Sequence, residues 1–241
     1  MIKMKSFCLS VVVLYLIAPI FIQSLFAQKT VAVLYFQNSS LSKKDEMEPL
    51  TKGLTDMFIT ELSKINQLKV IERAKLQSLL EEMSLGQSGI LDESSAQQVG
   101  KLLGAQALVF GSFIHNFDNK IRIDARMVEV ETGVTIKAEE ITGKPKNLFK
   151  MVSKLSEKFA RNLDVRLDKA DKNRLKKSEN ESFEATMLYS KGLEFQDQGN
   201  FRKAFEMYDK ALKINPNYKS AKLRIREIKE TLEKRLKNKN R

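Results

Sequence analysis

Val31-Ala32-Val33-Leu34-Tyr35-Phe36 is apolar at every successive position, so both faces of an extended chain here have to be covered. A strand of this kind is expected in the interior of a sheet. Downstream, Leu50, Leu54, Met57, Phe58, Leu62 and Ile65 recur at helical spacing, with Pro49 tolerated because it falls in the first turn. Leu68-Lys69-Val70-Ile71 reads as a short strand, and Leu76, Leu79, Leu80 and Met83 mark a second helix. Gly86 and Gly89 break that helix, Asp92 is the expected N-cap of a third, and Gly104 ends it.

Ala107 to Phe113 opens a set of three strands joined by Asp118-Asn119 and by Glu131-Thr132-Gly133. In the second of them Ile121, Ile123, Ala125 and Met127 alternate inward, while Val128 and Val130 continue in the opposite phase. That slip fits a β-bulge near Met127 or a strand buried on both faces. Leu148, Val152, Leu155, Phe159, Leu163 and Leu167 then give a long amphipathic helix after Pro145. The expected architecture over residues 28–168 is α+β, a mixed sheet with helices in the order β-α-β-α-α-β-β-β-α.

Residues 169–182 are rich in charge and poor in apolar side chains, which predicts a solvated linker. From Phe183 onward every periodic signal is helical. Gly192, Phe195, Ala204, Tyr208, Ala211 and Pro216 are placed as in one tetratricopeptide (TPR) repeat, whose small residues let two antiparallel helices approach closely. Gln198-Gly199-Asn200 supplies the turn, and a helix from Tyr218 to about Lys237 reads as a cap over the pair. A single repeat cannot bury its own apolar face, so residues 183–241 have to dock somewhere; a plain helical hairpin packed on the first unit is the alternative reading. Gly192, Ala204, Ala211 and Pro216 are structural on this reading. The resemblance to a repeat implies that its first helix lines a partner-binding groove, with Tyr189, Leu193 and Gln196 facing it.

At the other end, Lys3 and Lys5 precede an uncharged run from Phe7 to Phe26, closed by Ala27 before Gln28-Lys29-Thr30. This is the layout of a signal peptide over residues 1–27 with cleavage between Ala27 and Gln28, although the run is also long enough for an uncleaved anchor. Cys8 lies early in the run rather than at the cut, which argues against lipidation. Loss of the leader takes the formal charge from +12 to +10, since Lys3 and Lys5 leave with no acid, and removes the single cysteine. Without thiols, an exported chain relies on its hydrophobic core, for which 42% apolar residues suffice. A basic exported protein points to anionic lipid, cell-wall polymer or an acidic partner, and not to nucleic acid. From Lys219 to Arg241 bases outnumber acids, and the surplus beyond Lys234 suits an anionic envelope surface.

Little in the sequence points to catalysis. His115 adjoins an expected turn and reads as a surface histidine, Glu81-Glu82 and Glu139-Glu140 read as solvated faces, and no phosphate-binding glycine loop or metal motif occurs. No cofactor, metal or catalytic residue is assigned. Arg73, between a buried strand and a helix, reads as structural, a planar donor fixing that corner on carbonyls or a nearby carboxylate.

Val70-Ile71-Glu72-Arg73-Ala74-Lys75-Leu76, Leu80-Glu81-Glu82, Ser88-Gly89, Gly100-Lys101-Leu102-Leu103-Gly104-Ala105, Gly111-Ser112 and Val128-Glu129-Val130-Glu131-Thr132-Gly133 together resemble the CsgG family. The likeness covers the first unit. It implies a periplasmic α+β domain, without chemistry, that assembles into rings or binds partners in the cell envelope. The expected function is a non-enzymatic periplasmic accessory or scaffold of assembly or secretion, peripheral to the outer membrane, whose repeat recruits a protein partner. The alternative is a regulator that binds a cell-wall synthase. A curli-type secretion channel is the weaker third reading, because the lipidated cysteine and the long membrane-crossing hairpins of that channel have no counterpart here.

Overall fold

The computed structural model describes residues 28–83, 93–163, 165–176 and 182–239. The expectations for the leader up to Ala27, for Gly86, Gly89 and Asp92, and for residues 177–181 lie outside these. Strand β1 (Lys29–Val33) is followed by a two-residue strand β2 (Gln37–Asn38), a short helix α1 (Lys44–Met47) and helix α2 (Leu50–Leu62). Next come β3 (Leu68–Val70), α3 (Arg73–Glu82), α4 (Glu93–Leu102), β4 (Ala107–His115), β5 (Ile121–Glu129), β6 (Thr135–Gly143) and α5 (Leu148–Asn162). Four further helices complete the chain: α6 (Lys169–Lys176), α7 (Phe183–Asp197), α8 (Phe201–Ile214) and α9 (Lys219–Lys239).

The sheet runs β3-β1-β4-β5-β6, with β2 also paired to β4. Strand β1 lies parallel between β3 and β4, while β4, β5 and β6 form an antiparallel meander. Mixed topology follows from the connections, since parallel neighbours need a helical crossover and antiparallel ones only a turn. The uninterrupted apolar run has its cause in two cores. Val31 and Val33 join the layer of α2, α5 and α6 on one face, and Ala32 and Leu34 join the layer of α3 and α4 on the other. Phe58 of α2 stacks on Phe36 with ring centres 5.0 Å apart and meets Phe159 of α5 at 6.4 Å, tying three elements together.

Both readings of the slip at Met127 turn out to contribute. The register shifts between Met127 and Val128, but the extra residue, Ile136, lies on β6, where Met127 pairs Lys137 and Val128 pairs Thr135. Strand β5 itself keeps its phase, and its end is buried on both faces, Met127 in the first core and Val130 beyond it in the second.

Two expectations are corrected. Residues 169–176 are not a solvated linker. They form α6, where Leu175 is buried and its carbonyl accepts from Ser153 Oγ at 3.0 Å, while Arg174 Nε donates to the Lys64 carbonyl at 2.7 Å. Two buried side chains in an eight-residue helix leave little trace in a stretch otherwise made of charges. His115 is not a surface residue either. It is 4% exposed, with Nδ1 at 2.9 Å from Ser42 Oγ and Nε2 at 3.0 Å from Asn119 Oδ1, so local polar partners make its burial tolerable.

The C-terminal helices pack in pairs, α7 on α8 and α8 on α9, around Ala185, Leu193, Ala204, Tyr208 and Ala211. A Cβ on Gly192 would stand 2.3 Å from the Tyr208 ring, so only glycine admits that ring at the crossing. Pro216 lies exposed in the turn before α9. Among the described residues no helix is long and apolar enough to cross a membrane. Ala204 is fully buried, so Ala204→Leu is expected to overpack the crossing and lower stability by about 1–3 kcal/mol, read as a lower urea midpoint at unchanged slope.

Candidate functional site

Helix α2 is covered on two sides, and Thr60 is its one exposed residue. Its buried residues include Leu54, Met57 and Phe58 toward the sheet, and also Gly53, Thr55 and Asp56. The cover on the second side is α7, and Gly53 sets its distance: a Cβ there would stand 1.8 Å from Ser190 Oγ. With the helices this close, water is excluded from the seam, and any charge within it needs a partner.

Asp56 and Asp197 are the acids of the seam. Asp56 accepts from Tyr189 OH at 2.6 Å and from Arg224 Nη2 at 2.7 Å, the first on α7 and the second on α9. Asp197 accepts from Arg73 Nη1 of α3 at 2.8 and 2.9 Å and from Lys52 Nζ of α2 at 2.6 Å. Arg73 Nε stands 3.8 Å from Asp56 Oδ1, too far for a hydrogen bond but close enough to join the two acids electrostatically. Tyr35 OH donates to Gln77 Oε1 at 2.6 Å and lies 3.5 Å from Arg73 Nη1, carrying the network to the segment that follows β1. Side-chain exposures of 2% for Arg73, 5% for Asp56, 7% for Asp197 and 11% for Arg224 place the cluster in low dielectric.

Local electrostatics alone disfavours two of these charges. Arg73 is a cation at the start of α3, and Asp197 an anion at the end of α7, each at the end its own helix dipole repels. They are stabilised by meeting each other across the seam. Burial works against the charged form of Arg73, and Asp197, Tyr35 and Asp56 outweigh it, so its pKa lies above the ordinary value. Burial likewise opposes the charge on Arg224 and is overcome by Tyr189, Asp56 and Glu227. Burial, then the charge of Asp56, pushes the Tyr189 phenol well above its ordinary 10.0, which keeps it a neutral donor. The stability tied to that neutral phenol is complete below its unfolded pKa and is lost as pH rises beyond it, so the contribution of Tyr189 to the seam fades in alkali.

Beside Asp56 the seam opens into a cavity of about 270 Å³. Met57, Phe149, Tyr189 and Tyr218 form its inner wall, with Tyr218 meeting Tyr189 at 4.9 Å and the edge of Phe149 at 6.3 Å between ring centres. The expected groove residues are thus distributed differently from a free repeat. Tyr189 and Leu193 are 1% and 0% exposed, and Gln196 accepts from Tyr208 OH at 2.7 Å. The chain's own α2 packs against this helix, so the face expected to meet a partner is turned inward, and of the three residues Tyr189 alone lines the cavity. Arg73 bonds a carboxylate, that of Asp197 far along the chain, rather than a carbonyl at its own corner.

Residues 20–122 match the family model of the curli production assembly/transport component CsgG, and residues 185–218 match that of the tetratricopeptide repeat. The chain carries a CsgG-family domain followed by a TPR repeat. A protein of Rhizobium meliloti (strain 1021) named "Putative adenylate cyclase 3" is 28% identical over 61% of this chain, and the match spans 23% of that protein's length. Among solved structures, the LpoB C-terminal domain from Escherichia coli is 16% identical with a TM-score of 0.36, covering 50% of this chain and 86% of its own. Lipoprotein GNA1162 from Neisseria meningitidis is 14% identical with a TM-score of 0.39, covering 56% and 98%.

Breaking a buried pair leaves its partner charge uncompensated. Asp197→Ala, which strands Arg73, is expected to lower stability by about 3–5 kcal/mol, measured by urea denaturation. A loss below about 1 kcal/mol would mean that the pair behaves as a solvated surface contact.

Proposed function

We propose that the chain is a non-enzymatic protein of the cell envelope that works by binding another protein. The observation that carries this reading is the seam in which a TPR repeat is locked on a CsgG-family domain, with Asp56 and Asp197 each paired to cations of the same chain. A carboxylate already bonded to cations of its own chain is poorly placed as a general acid or base, since it has to leave those partners to reach a substrate. Export through the 1–27 leader, a periplasmic location near the outer membrane and attachment to anionic surfaces through α9 belong to the same reading.

The seam also favours one form of the function over another. A scaffold that recruits through a free repeat needs the α7 face open, whereas here α2 fills it. A regulator that docks as one rigid body on a cell-wall synthase needs no such opening. The regulator therefore fits the geometry better than the secretion accessory, and both fit better than a channel.

The full chain, immobilised and exposed to envelope extract, is expected to retain a cell-wall synthase identified by mass spectrometry and to change its activity when the two are purified and mixed. Retention of secretion or appendage components alone would favour the accessory, and retention of nothing above a heat-unfolded control would overturn both.

A further inference from the structure

One end of the sheet carries the two most exposed large apolar side chains among the described residues, Phe117 at 80% and Leu41 at 65%. Strand register brings them together. Strand β4 ends at His115 opposite Ile121, Ile121 pairs Gly143 at the end of β6, and Asn38 of β2 pairs Phe113, so residues 39–44, 116–120 and 144–146 share this end. Leu41 N and Ser42 N both donate to the His115 carbonyl, at 3.0 and 3.2 Å, which fastens the first segment to the second. The turn that carries Phe117 is closed by Asn116 N on the Lys120 carbonyl at 3.0 Å and by Lys120 N on Asn116 Oδ1 at 2.9 Å, with Asn119 at φ 52°. Buried His115 is the joint, its ring held between Ser42 Oγ and Asn119 Oδ1. Polar bonds thus fix the backbone on both sides of Phe117 and Leu41, and large apolar groups presented together on adjoining loops mark a contact surface in a way that scattered single ones do not.

Shape and charge together say what covers this end. A specific protein interface buries about 800 Å² on each partner, which two side chains projecting from a turn and a loop do not supply. A bilayer surface needs no shaped pocket: it takes apolar side chains into the headgroup boundary and attracts the cations around them to anionic heads. Those cations are present. Lys43, Lys44, Lys120, Lys144 and Lys146 are exposed, and Asp118 is the one acid in the three segments. Asp45 and Glu46 lie just beyond, Glu46 at 3.5 Å from Lys43, and the other four lysines have no acidic partner among the described residues. We infer that this end of the sheet is a membrane-contact site, where Phe117 and Leu41 enter the headgroup boundary of a bilayer rich in anionic phospholipid and the surrounding lysines face its phosphates. The contact is separate from the basic stretch of α9 and from the capture of a protein partner, and it sets which end of the molecule is turned to the membrane.

The chain contains no tryptophan, so a single introduced one reports its own surroundings. Three variants are compared: Phe117→Trp, Leu41→Trp and, in the turn at the opposite end of β5, Val134→Trp, where the native side chain is also exposed, at 62%. All are purified from the cell envelope, which leaves residues 1–27 in the same state in each. With vesicles of phosphatidylethanolamine and phosphatidylglycerol, Phe117→Trp and Leu41→Trp are expected to shift their emission to shorter wavelength and to be quenched by brominated lipid, and Val134→Trp is expected to do neither. Raised salt is expected to weaken the quenching. Adding Lys120→Glu and Lys144→Glu to Phe117→Trp is expected to raise the lipid needed for half-quenching about tenfold or more. No response of Phe117→Trp, equal quenching of Val134→Trp, an equal response to pure phosphatidylcholine, or a response to envelope protein but not to lipid would each overturn the site. Retention of the envelope partner is read on the same preparations, so the lipid contact and the recruiting function stand or fall separately.

Discussion

Two carboxylates buried between helices from opposite ends of the chain determine how the rest of this molecule is arranged. Asp56 and Asp197 are held by Arg224, Tyr189, Arg73 and Lys52, and each carboxylate takes these hydrogen bonds from the opposite unit. A buried ion pair adds little net stability over a well-packed apolar one, but a mispaired one is costly. The cluster thus acts mainly as a specifier. It admits the docking that brings Gly53 against Ser190 and penalises sliding or rotation of the repeat, and the orphan face of a single repeat finds its cover in the process.

Much of the frame was legible because it rests on periodicity. The run from Val31 to Phe36 announces a strand with a core on each side, and the order of the remaining strands and helices follows from spacing and turn residues. The crossing of α7 and α8 was legible from Gly192, Ala204 and Ala211, small residues where large ones cannot fit. The stretch at 169–176 was not, since α6 is anchored by a single leucine and by Asp171, whose charge is answered by its own Arg174.

The seam was harder to read for a different reason. Asp56 and Arg224 look like ordinary helix charges, and their partnership joins residues far apart in the chain, which no local pattern records. Two signals were nevertheless present. From Leu54 to Thr60 the only charge is Asp56, so α2 has a narrow polar face and most of its circumference has to be covered. Arg73 and Asp197 sit at helix ends where their own dipoles are unfavourable. A charge placed badly within its own element is a sign that its partner lies elsewhere. The aromatic cavity depends in turn on this docking, because Phe149 and Met57 come from one unit and Tyr189 and Tyr218 from the other.

The central claim is that the CsgG-family domain and the TPR repeat form one cooperative body through the buried seam. Hydrogen exchange followed by mass spectrometry across a urea series tests it most directly, because it reports each helix separately. Amides of α2, α3, α7, α8 and α9 are expected to lose protection together, at the midpoint at which the sheet unfolds. Loss of protection in α7 to α9 at clearly lower urea, with α2 and β1 still protected, would contradict the account and return the repeat to the status of an independent module.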